Sequence, residues 1–377
     1  MWSNIYGHKK VIETLKKIYQ SKKIANAYIF FGPDGVGKDA VAIEFAKLIN
    51  CDNVNDSFDA CDICTSCKQT KLLYSSIFKF ITALPAGSSN YKKEIDPISN
   101  LNKSDYEIYL NELEEKRKNP YYRINIPNAN FIRIDSIRQL KNDIYRKGIK
   151  NKKKIFLISR ADMMNTESYN SLLKILEEPP GDSLLILTTS RINSLPATII
   201  GRCQKIKFNL LPVSEIENYL KKIKEDFSEE QIKFYSRLAE GSIAKLLNLF
   251  DTNYIELRDK IIDILRNIIT SSYVSLSNEI KKITENKERE KIKYILEIMQ
   301  LWFRDILYVS NKKNECIINY DRIDVLEKFS KNIKSNSYKI INILEDSIRD
   351  IEININPELA LNKLFLSLKG ELERVKN

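Results

Sequence analysis

Residues 28–40 read Tyr-Ile-Phe-Phe-Gly-Pro-Asp-Gly-Val-Gly-Lys-Asp-Ala. The apolar run at residues 28–31 predicts a buried strand, and the apolar spacing after residue 40 predicts a helix face. Between them lies a glycine-rich loop that ends in a lysine: Gly32, Gly35, Gly37 and Lys38. A strand, a glycine loop and a helix start form a cradle for phosphate, because backbone N–H groups and the helix dipole favour an anion while the lysine reaches the outer phosphates.

The residue after the lysine departs from that pattern. A phosphate loop with this spacing places Ser or Thr there, and the hydroxyl ligates Mg²⁺. Here the residue is Asp39. A carboxylate about 4 Å from a phosphate costs roughly 1–4 kcal/mol per unit charge. The backbone amides and Lys38 do not depend on Asp39, so the binding of ATP or ADP at this loop is left open.

A second acid is also missing from the place where hydrolysis needs it. The predicted strand at residues 155–158 should end in an acidic residue that holds Mg²⁺. It is followed instead by Ser159, which has no charge, and by Arg160, whose guanidinium stays protonated and cannot serve as a base. Asp162 lies one turn further on, where we expect it to point elsewhere. We therefore predict that this site does not hydrolyse ATP.

Four of the six cysteines lie directly after the loop helix, with the spacing Cys51-x9-Cys61-x2-Cys64-x2-Cys67. Close Cys-x2-Cys pairs let two thiolates reach one ion from a single tight turn. In a reducing compartment such a cluster indicates metal ligands rather than disulfides. The spacing predicts a closed structural zinc site with no vacant position for catalysis. Four reduced thiols without metal are the alternative.

Strands and helices alternate in the first half of the chain. Predicted strands lie at residues 27–31, 76–84, 155–158, 183–189 and 205–208. This alternation predicts an α/β domain of three layers with a mainly parallel sheet, over residues 1–208. Beyond it only helical periodicity continues, which we divide into a small helical domain at 209–250 and a helical C-terminal domain at 251–377.

Residues 85–130 interrupt the alternation. A loop of this length inside a compact domain is uncommon. We interpret it as an insertion that contains one short charged helix, and by default as a solvated surface element whose function is not readable.

Composition bounds the class of protein. A chain of 377 residues predicts two or three domains. No apolar run approaches the roughly 18–20 residues of a membrane span, and residues 1–8 lack the pattern of a secretory signal, so we expect a cytoplasmic protein. The 61 basic and 50 acidic residues give a net charge of +11. Such a surplus is typical of nucleic-acid partners, but a chain rich in Lys, Ile and Asn is also what an AT-biased genome encodes. Direct DNA contact is therefore left open.

Six stretches of the chain resemble subunits of the bacterial DNA polymerase III clamp loader, in the AAA+ superfamily. The sequence Leu-Leu-Lys-Ile-Leu-Glu-Glu-Pro-Pro at 172–180 is highly specific, as is a four-cysteine module placed directly after a phosphate-loop helix. The remaining stretches are residues 27–38, 134–138, 161–165 and 197–203. The resemblance covers about residues 1–250. It implies an AAA+ P-loop domain with a zinc module at 51–67, a helical lid at 209–250 and a helical collar domain at 251–377.

Two types of subunit compete within this family. The gamma/tau type hydrolyses ATP and drives the loader, whereas the delta-prime type commonly has a degenerate nucleotide site. Asp39, Ser159 and Arg160 favour the delta-prime type, as does the lack of any tau-like tail. The expected partners are the gamma/tau and delta subunits and, through the complex, the sliding clamp and primed DNA. No membrane partner is expected.

The resemblance also assigns a role to Arg202. The family's Ser-Arg-Cys motif donates an arginine finger to the ATP of a neighbouring subunit, and here the motif reads Gly201-Arg202-Cys203. Gly201 departs from the serine, and a structural salt bridge is the alternative role for Arg202. Other family positions fall on Thr189 and Ser190 (sensor 1) and on Lys245 (sensor 2), while His8 is expected to be a packing or surface residue.

A zinc-dependent nucleic-acid-binding module is the rival from another class. Such a module needs basic and aromatic residues around its thiols for backbone contacts and base stacking. The cysteine segment carries acids instead: Asp52, Asp56, Asp59 and Asp62. The composition of the segment therefore argues against this rival.

Overall fold

The computed structural model describes residues 1–86, 96–251, 253–268, 272–284, 289–333, 337–353 and 355–373. These residues form two compact units, Met1–Leu247 and Asn248–Asn377. The further division of the first unit near residue 208 stays a prediction.

The first unit is built on a five-stranded sheet, which confirms the predicted α/β class. Its strands are β1 (Ala27–Phe31), β2 (Phe78–Ile81), β3 (Lys154–Ile158), β4 (Ser183–Thr189) and β5 (Gln204–Lys207). The order is β2-β3-β4-β1-β5, and every pairing is parallel. Parallel strands end at the same edge of a sheet, so the segments that follow β1, β3 and β4 meet there.

Helices cover the sheet and connect its strands. They are α1 (Lys9–Gln20), α2 (Lys38–Asn50), α3 (Thr65–Lys71), α4 (Lys103–Lys118), α5 (Ile134–Tyr145), α6 (Thr166–Glu177) and α7 (Ala197–Ile200). The next three are α8 (Val213–Ile223), α9 (Glu229–Leu238) and α10 (Ile243–Asp251). Strands β3 and β4 are buried along their whole length, as expected of central parallel strands with helices on both faces.

The core explains why the central strands take these positions. Leu185 and Leu187 of β4 pack in one cluster with Ile158 of β3, and α5 and α6 add Leu140 and Leu172 from above. All five side chains are at most 1% exposed. Burial of this kind contributes about 1.5–3 kcal/mol per large aliphatic side chain, so it fixes the sheet edge on which the site is built.

The described part of the insertion is not a solvated surface element, and that default interpretation is wrong. Helix α4 is capped by Asn102, whose side chain accepts a hydrogen bond from the Asp105 backbone N–H. Its Tyr109 and Leu113 are buried, and so is the side chain of Lys116. The helix lies against the first unit because these positions, spaced four and three residues apart, share one face. Residues 87–95 lie outside the described residues.

The second unit is helical throughout its described residues. Its helices are α11 (Tyr254–Asn267), α12 (Tyr273–Thr284), α13 (Arg289–Ser310), α14 (Ile323–Ile333), α15 (Ser337–Glu352) and α16 (Pro357–Glu373). Trp302 and Phe303 of α13 are almost wholly buried and form the centre of its core. None of the helices in the described residues combines the length and the apolarity that a membrane span needs.

Candidate nucleotide site and metal centre

The glycine loop lies between β1 and α2, as the sequence predicts. Gly32, Gly35 and Gly37 all have positive φ angles, of 148°, 72° and 105°. Glycine adopts such angles without the steric cost that a Cβ brings. At Gly37 the space is also closed, because an added Cβ would lie 2.5 Å from Cε1 of Tyr121. The loop therefore has the backbone shape of a phosphate cradle, and a tyrosine ring rests on it.

Lys38 begins helix α2 and turns back onto the loop. Its Nζ donates hydrogen bonds to the carbonyl oxygens of Gly32 (2.9 Å) and Pro33 (2.6 Å). Burial lowers the pKa of Lys38, although Asp34 and Asp39 act in the opposite direction. The lysine that would reach the outer phosphates is thus engaged with its own loop.

Asp39 is held by hydroxyl groups from two strand ends. Its carboxylate accepts hydrogen bonds from Ser159 Oγ, just beyond β3, and from Thr188 Oγ1 of β4, both at 2.7 Å. Lys116 Nζ lies 3.3 Å from Oδ2 of the same carboxylate. Burial opposes ionisation, but Lys116 and the two hydroxyl donors together hold the pKa of Asp39 below its usual value. The position that normally carries a magnesium-binding hydroxyl therefore carries an ionised, fully engaged carboxylate.

The segment after β3 places no acidic side chain in the cleft beside Asp39. Arg160 adopts the left-handed backbone region at φ 56°, and its N–H donates to Thr188 Oγ1 (3.2 Å). Asp162 accepts hydrogen bonds from Thr189 Oγ1 (2.8 Å) and from Arg191 Nη2 (2.9 Å). Asp162 is therefore paired with the end of β4 and the residues after it, and it does not line the cleft around Asp39.

Sequence reasoning missed Thr188 and Tyr121 of this site, and above all Lys116. It lies in the charged run that ends the predicted short helix, 77 residues from Asp39 in sequence. A signal was available, because Tyr109, Leu113 and Lys116 follow helical spacing and so mark one face. That spacing predicts burial of the lysine, but it does not identify the carboxylate that pairs with it.

His8 is a packing residue, as expected. Its Nε2 lies 2.9 Å from the Val36 carbonyl oxygen, and its ring packs edge-on against Phe208 at 4.9 Å between centroids. Burial lowers the pKa of His8. The histidine thus supports the glycine loop from the side.

Arg202 lies at the surface, just beyond α7. Its Nη2 donates to Glu177 Oε1 (2.9 Å) and its Nη1 to the Thr198 carbonyl oxygen (3.0 Å). The side chain remains 39% exposed. Gly201 has an ordinary helical φ of −68°, but an added Cβ would lie 3.3 Å from the Ala197 carbonyl oxygen, so the motif's serine would need a small shift of the backbone there.

The predicted sensor-2 segment contacts the glycine loop through its backbone. The Ala244 N–H donates to the Gly35 carbonyl oxygen (3.1 Å). Lys245 points to Glu240, with which it forms an ion pair of 2.6 Å. Ala244 lines the cleft, whereas Lys245 does not.

The four clustered cysteines converge on one point. The sulfur atoms of Cys51, Cys61, Cys64 and Cys67 all lie within 4.8 Å of one another. A tetrahedral zinc ion with bonds of about 2.3 Å needs sulfurs about 3.8 Å apart, so a small inward movement completes the site. The residues present fit a structural metal ion, which would link the end of α2 to the start of α3.

Backbone donors prepare the cluster for metal. The N–H groups of Cys61, Cys64 and Cys67 donate to the sulfurs of Cys51, Cys61 and Cys64 respectively, at 3.2–3.4 Å. Burial raises the pKa of a thiol, but hydrogen bonds from the backbone of Cys64 and Ile63 outweigh it and lower the pKa of Cys61 to about 6. Burial instead raises the pKa of Cys51 and of Cys67, so Cys61 ionises more readily than these two and is the readier metal ligand.

The acids of the cysteine segment fasten it to the α/β unit. Asp62 forms an ion pair with Lys47 of α2 (2.9 Å), and Asp59 accepts from the Trp2 N–H (2.7 Å). Asp52 pairs with Lys152, which precedes β3. These carboxylates are engaged in anchoring contacts, which is consistent with the argument against a nucleic-acid-binding module.

Comparison with known proteins adds independent information. A family profile described as "DNA polymerase III, delta subunit" matches residues 7–212, and one described as "DNA polymerase III, delta subunit, C terminal" matches 252–370. The DNA polymerase III subunit delta' of Bacillus subtilis is 23% identical over 366 residues, covering 96% of this chain and 95% of its own.

Relatives of the gamma and tau type match as well. The subunit gamma of Buchnera aphidicola (Schizaphis graminum) is 29% identical over 254 residues, which is 66% of this chain. The subunit tau of B. subtilis is 23% identical over 382 residues, which is 95% of this chain. The chain spans only 57% and 59% of the lengths of these two relatives.

The phosphate-loop geometry, carried on a parallel sheet and followed by helices, places the chain in the class of P-loop α/β proteins. Within that class the chain belongs to the DNA polymerase III delta-subunit family, because the family profile matches more than half of its residues. The predicted resemblance to the clamp-loader subunits of this polymerase is thereby confirmed.

Proposed function

We propose that this chain is a non-hydrolysing, delta-prime-like subunit of the DNA polymerase III clamp loader. It would complete the ring of subunits that opens the sliding clamp and loads it onto primed DNA. The carboxylate of Asp39, held by Ser159 and Thr188, carries the proposal. A working P-loop ATPase needs a hydroxyl and an acid at these positions to hold Mg²⁺.

The contribution of this subunit to ATP hydrolysis would be made in trans through Arg202. An arginine finger stabilises the charge that develops on the transferred phosphoryl group of a neighbour. The exposed guanidinium, braced by Glu177, is compatible with that task. The proposed partners are the gamma/tau and delta subunits in the cytoplasm, with the clamp and DNA reached through the complex.

The metal held by the four cysteines is proposed to be zinc in a structural role. Four sulfur ligands fill a tetrahedral zinc site and leave no position for a reacting water. Cys51, Cys61, Cys64 and Cys67 would bind it as thiolates. The ion would fix the path of the chain between α2 and α3.

The proposal is tested by ATPase assays on the purified chain and on a loader reconstituted with it. We expect no turnover by the isolated chain. We expect Arg202→Ala to remove the share of DNA-stimulated ATPase that comes from the adjacent site, because a finger contributes on the order of 10³-fold or more at its site. Arg146→Ala, which removes another exposed arginine of the same unit, is the matched control.

Two results would count against this function. Robust hydrolysis by the isolated chain would favour the active gamma/tau type. Unchanged ATPase activity of loader complexes that contain Arg202→Ala would contradict the arginine-finger role. Arg202 would then be a surface residue that forms an ion pair with Glu177.

A further inference from the structure

The insertion enters the cleft beside the glycine loop. Residues 103–123, here called the cleft segment, comprise helix α4 and the five residues after it. The cleft is lined both by the loop, from Asp34 to Asp39, and by residues of this segment. The contributions of the segment to that lining are Lys116, Pro120, Tyr121, Tyr122 and Arg123. Two parts of the chain that are distant in sequence thus meet in the space where a nucleotide would lie.

Lys116 brings a cation to the place where a magnesium nucleotide brings one. Its Nζ lies 3.3 Å from Asp39 and donates to the Tyr122 carbonyl oxygen at 2.7 Å, and its side chain is only 3% exposed. In P-loop ATPases the residue after the loop lysine touches Mg²⁺. Here that residue is a carboxylate, and its positive partner comes from the protein itself.

Tyr121 brings an aromatic ring to the same cleft. The ring is 5% exposed and lies against Gly37, so closely that no Cβ would fit between them. Its hydroxyl oxygen accepts a hydrogen bond from the Tyr6 N–H (2.8 Å), and its ring neighbours that of Tyr219 on α8, 5.7 Å away between centroids. A nucleotide whose phosphates entered the loop would have to place its sugar and base in the space beside it, which this ring occupies.

Further bonds close the segment over the loop. Arg123 Nη1 forms an ion pair with Asp34 at 2.8 Å, across the rim of the cleft. Asn119 donates to the Tyr219 hydroxyl at 2.8 Å, which ties the segment to α8. Together with the bonds of Lys38 to its own loop, these contacts hold the segment and the loop in one arrangement.

We propose that the cleft segment is a built-in occupant of the nucleotide site, in which Lys116 takes the place of the metal cation and Tyr121 the place of the base and sugar. The segment holds the loop and α8 in one arrangement without nucleotide. This inference rests on the proposed function, since it gives the non-hydrolysing subunit a nucleotide-independent shape. It extends that function by making the subunit insensitive to the ATP/ADP state of the cell.

The test measures binding of a fluorescent ADP analogue, with Mg²⁺, to the isolated full chain. We expect no binding by the wild type or by Asp39→Thr, which restores the hydroxyl but keeps the occupant. The opened variant Asp39→Thr/Lys116→Met/Tyr121→Ala should bind at least about tenfold more tightly, which corresponds to about 1.4 kcal/mol. Its melting temperature should also rise with added Mg·ADP, because a ligand that binds only the folded state stabilises it.

A matched variant controls for general loosening of the segment. Asp39→Thr/Lys118→Met/Tyr106→Ala removes an exposed lysine and an exposed tyrosine from the same helix, and it should not bind the analogue. Binding by the wild type, by Asp39→Thr alone or by this control would overturn the proposal. So would an opened variant that keeps its circular dichroism spectrum and still fails to bind.

A second measurement covers the case in which the opened variant does not fold. Lys116→Met and Asp39→Asn should each lower the melting temperature, while the double variant should lower it by less than the sum of the two. Additive losses would mean that the pair is not coupled, and would overturn the cation role of Lys116. These measurements use the isolated chain, so they can fail while the Arg202 test on the assembled loader succeeds, and the reverse also holds.

Discussion

His8 is the single histidine of the chain, and it holds the glycine loop through Val36. It adopts a left-handed backbone conformation at φ 57°, directly before helix α1. Burial lowers its pKa, with Lys38 acting in the same direction and the Val36 carbonyl and Glu215 acting against it. The neutral ring is therefore the form that the folded protein prefers.

The preference of the folded protein for neutral His8 predicts that this residue makes its own contribution to the pH dependence of stability. Below its unfolded pKa of about 6.5 the unfolded chain binds the proton more readily than the folded one, so the free energy of unfolding falls as pH falls. The slope from this group cannot exceed about 1.4 kcal/mol per pH unit. Denaturant unfolding of the wild type and of His8→Asn, which tolerates the same backbone angle, measures the difference.

The comparison of the two proteins separates His8 from other titrating groups, such as the cysteine thiols. The wild type should lose its advantage over His8→Asn as pH falls from about 7.5 towards 5.5. A difference in unfolding free energy that stays constant over this range would show that the histidine does not titrate differently in the folded state.

Residue chemistry also sets what the sequence could predict about the site. Asp39, Ser159 and Arg160 each depart from the residue type that the motif requires, so their effect on magnesium binding can be predicted from residue type alone. Its partner Lys116 cannot be predicted in this way, because an ion pair between segments that are distant in sequence depends on the tertiary fold. The lysine was therefore missed, although the carboxylate that it neutralises was recognised.

At the scale of elements, the cysteine module is a small structure with few buried apolar residues of its own. Cys64 caps helix α3, which is only seven residues long, and Cys67 lies within it. A helix this short is marginal without outside support. The metal ion proposed here would provide that support by linking α3 to the end of α2.

Loss of the metal should therefore destabilise the protein. We expect Cys61→Ser, or treatment with a strong chelator, to release one equivalent of zinc and to lower the free energy of unfolding by on the order of 4 kcal/mol. A colorimetric zinc assay and thermal unfolding provide the two readings. Cys316→Ser, which removes an exposed cysteine outside the cluster, should change neither.

The module would lose its structural role if the metal-free protein melted at the same temperature as the metal-loaded one. A purified protein with no metal and four reduced thiols would instead support the alternative left open by the spacing of the cysteines.

Elements differ in how far the sequence predicts them. Strand β4 is predicted with its observed bounds, because a fully buried strand is a continuous apolar run. The predicted strand at 76–84 is longer than β2, which spans Phe78–Ile81, since apolar residues continue past the last pairing with β3. The insertion was misjudged because its charge suggested solvent, whereas its burial depends on a face that packs against other elements.

At the scale of the whole molecule, the second compact unit has its own buried ionic centre. Arg258 of α11 is 1% exposed and makes two hydrogen bonds to Asp321, at 2.8 and 2.7 Å. Nearby, the buried Asp305 accepts hydrogen bonds from the backbone N–H groups of Ile318 and Asn319. These bonds fix the chain between α13 and α14, and all lie within Asn248–Asn377.

Disrupting this centre should affect one unit and spare the other. We expect Arg258→Met to cost about 3 kcal/mol, near the lower end for a broken buried pair, because Asp321 can still be hydrated. Hydrogen exchange followed by mass spectrometry should show faster exchange in Asn248–Asn377 and unchanged protection of strands β1, β3 and β4.

Arg266→Met is the matched control, since it removes an exposed arginine of the same helix that pairs with Asp263. Its effect should stay within about 0.5 kcal/mol. Equal effects of the two substitutions, or faster exchange throughout the sheet, would contradict a centre that stabilises only the second unit.

The pairing of Asp39 with Lys116 limits which single substitutions this part of the cleft tolerates. Asp39→Thr alone would leave a buried ammonium without its carboxylate, at a cost of about 3–5 kcal/mol. A change at Lys116 alone would strand the acid instead. A magnesium-binding hydroxyl at position 39 therefore requires a compensating substitution at position 116, so the two positions are expected to change together.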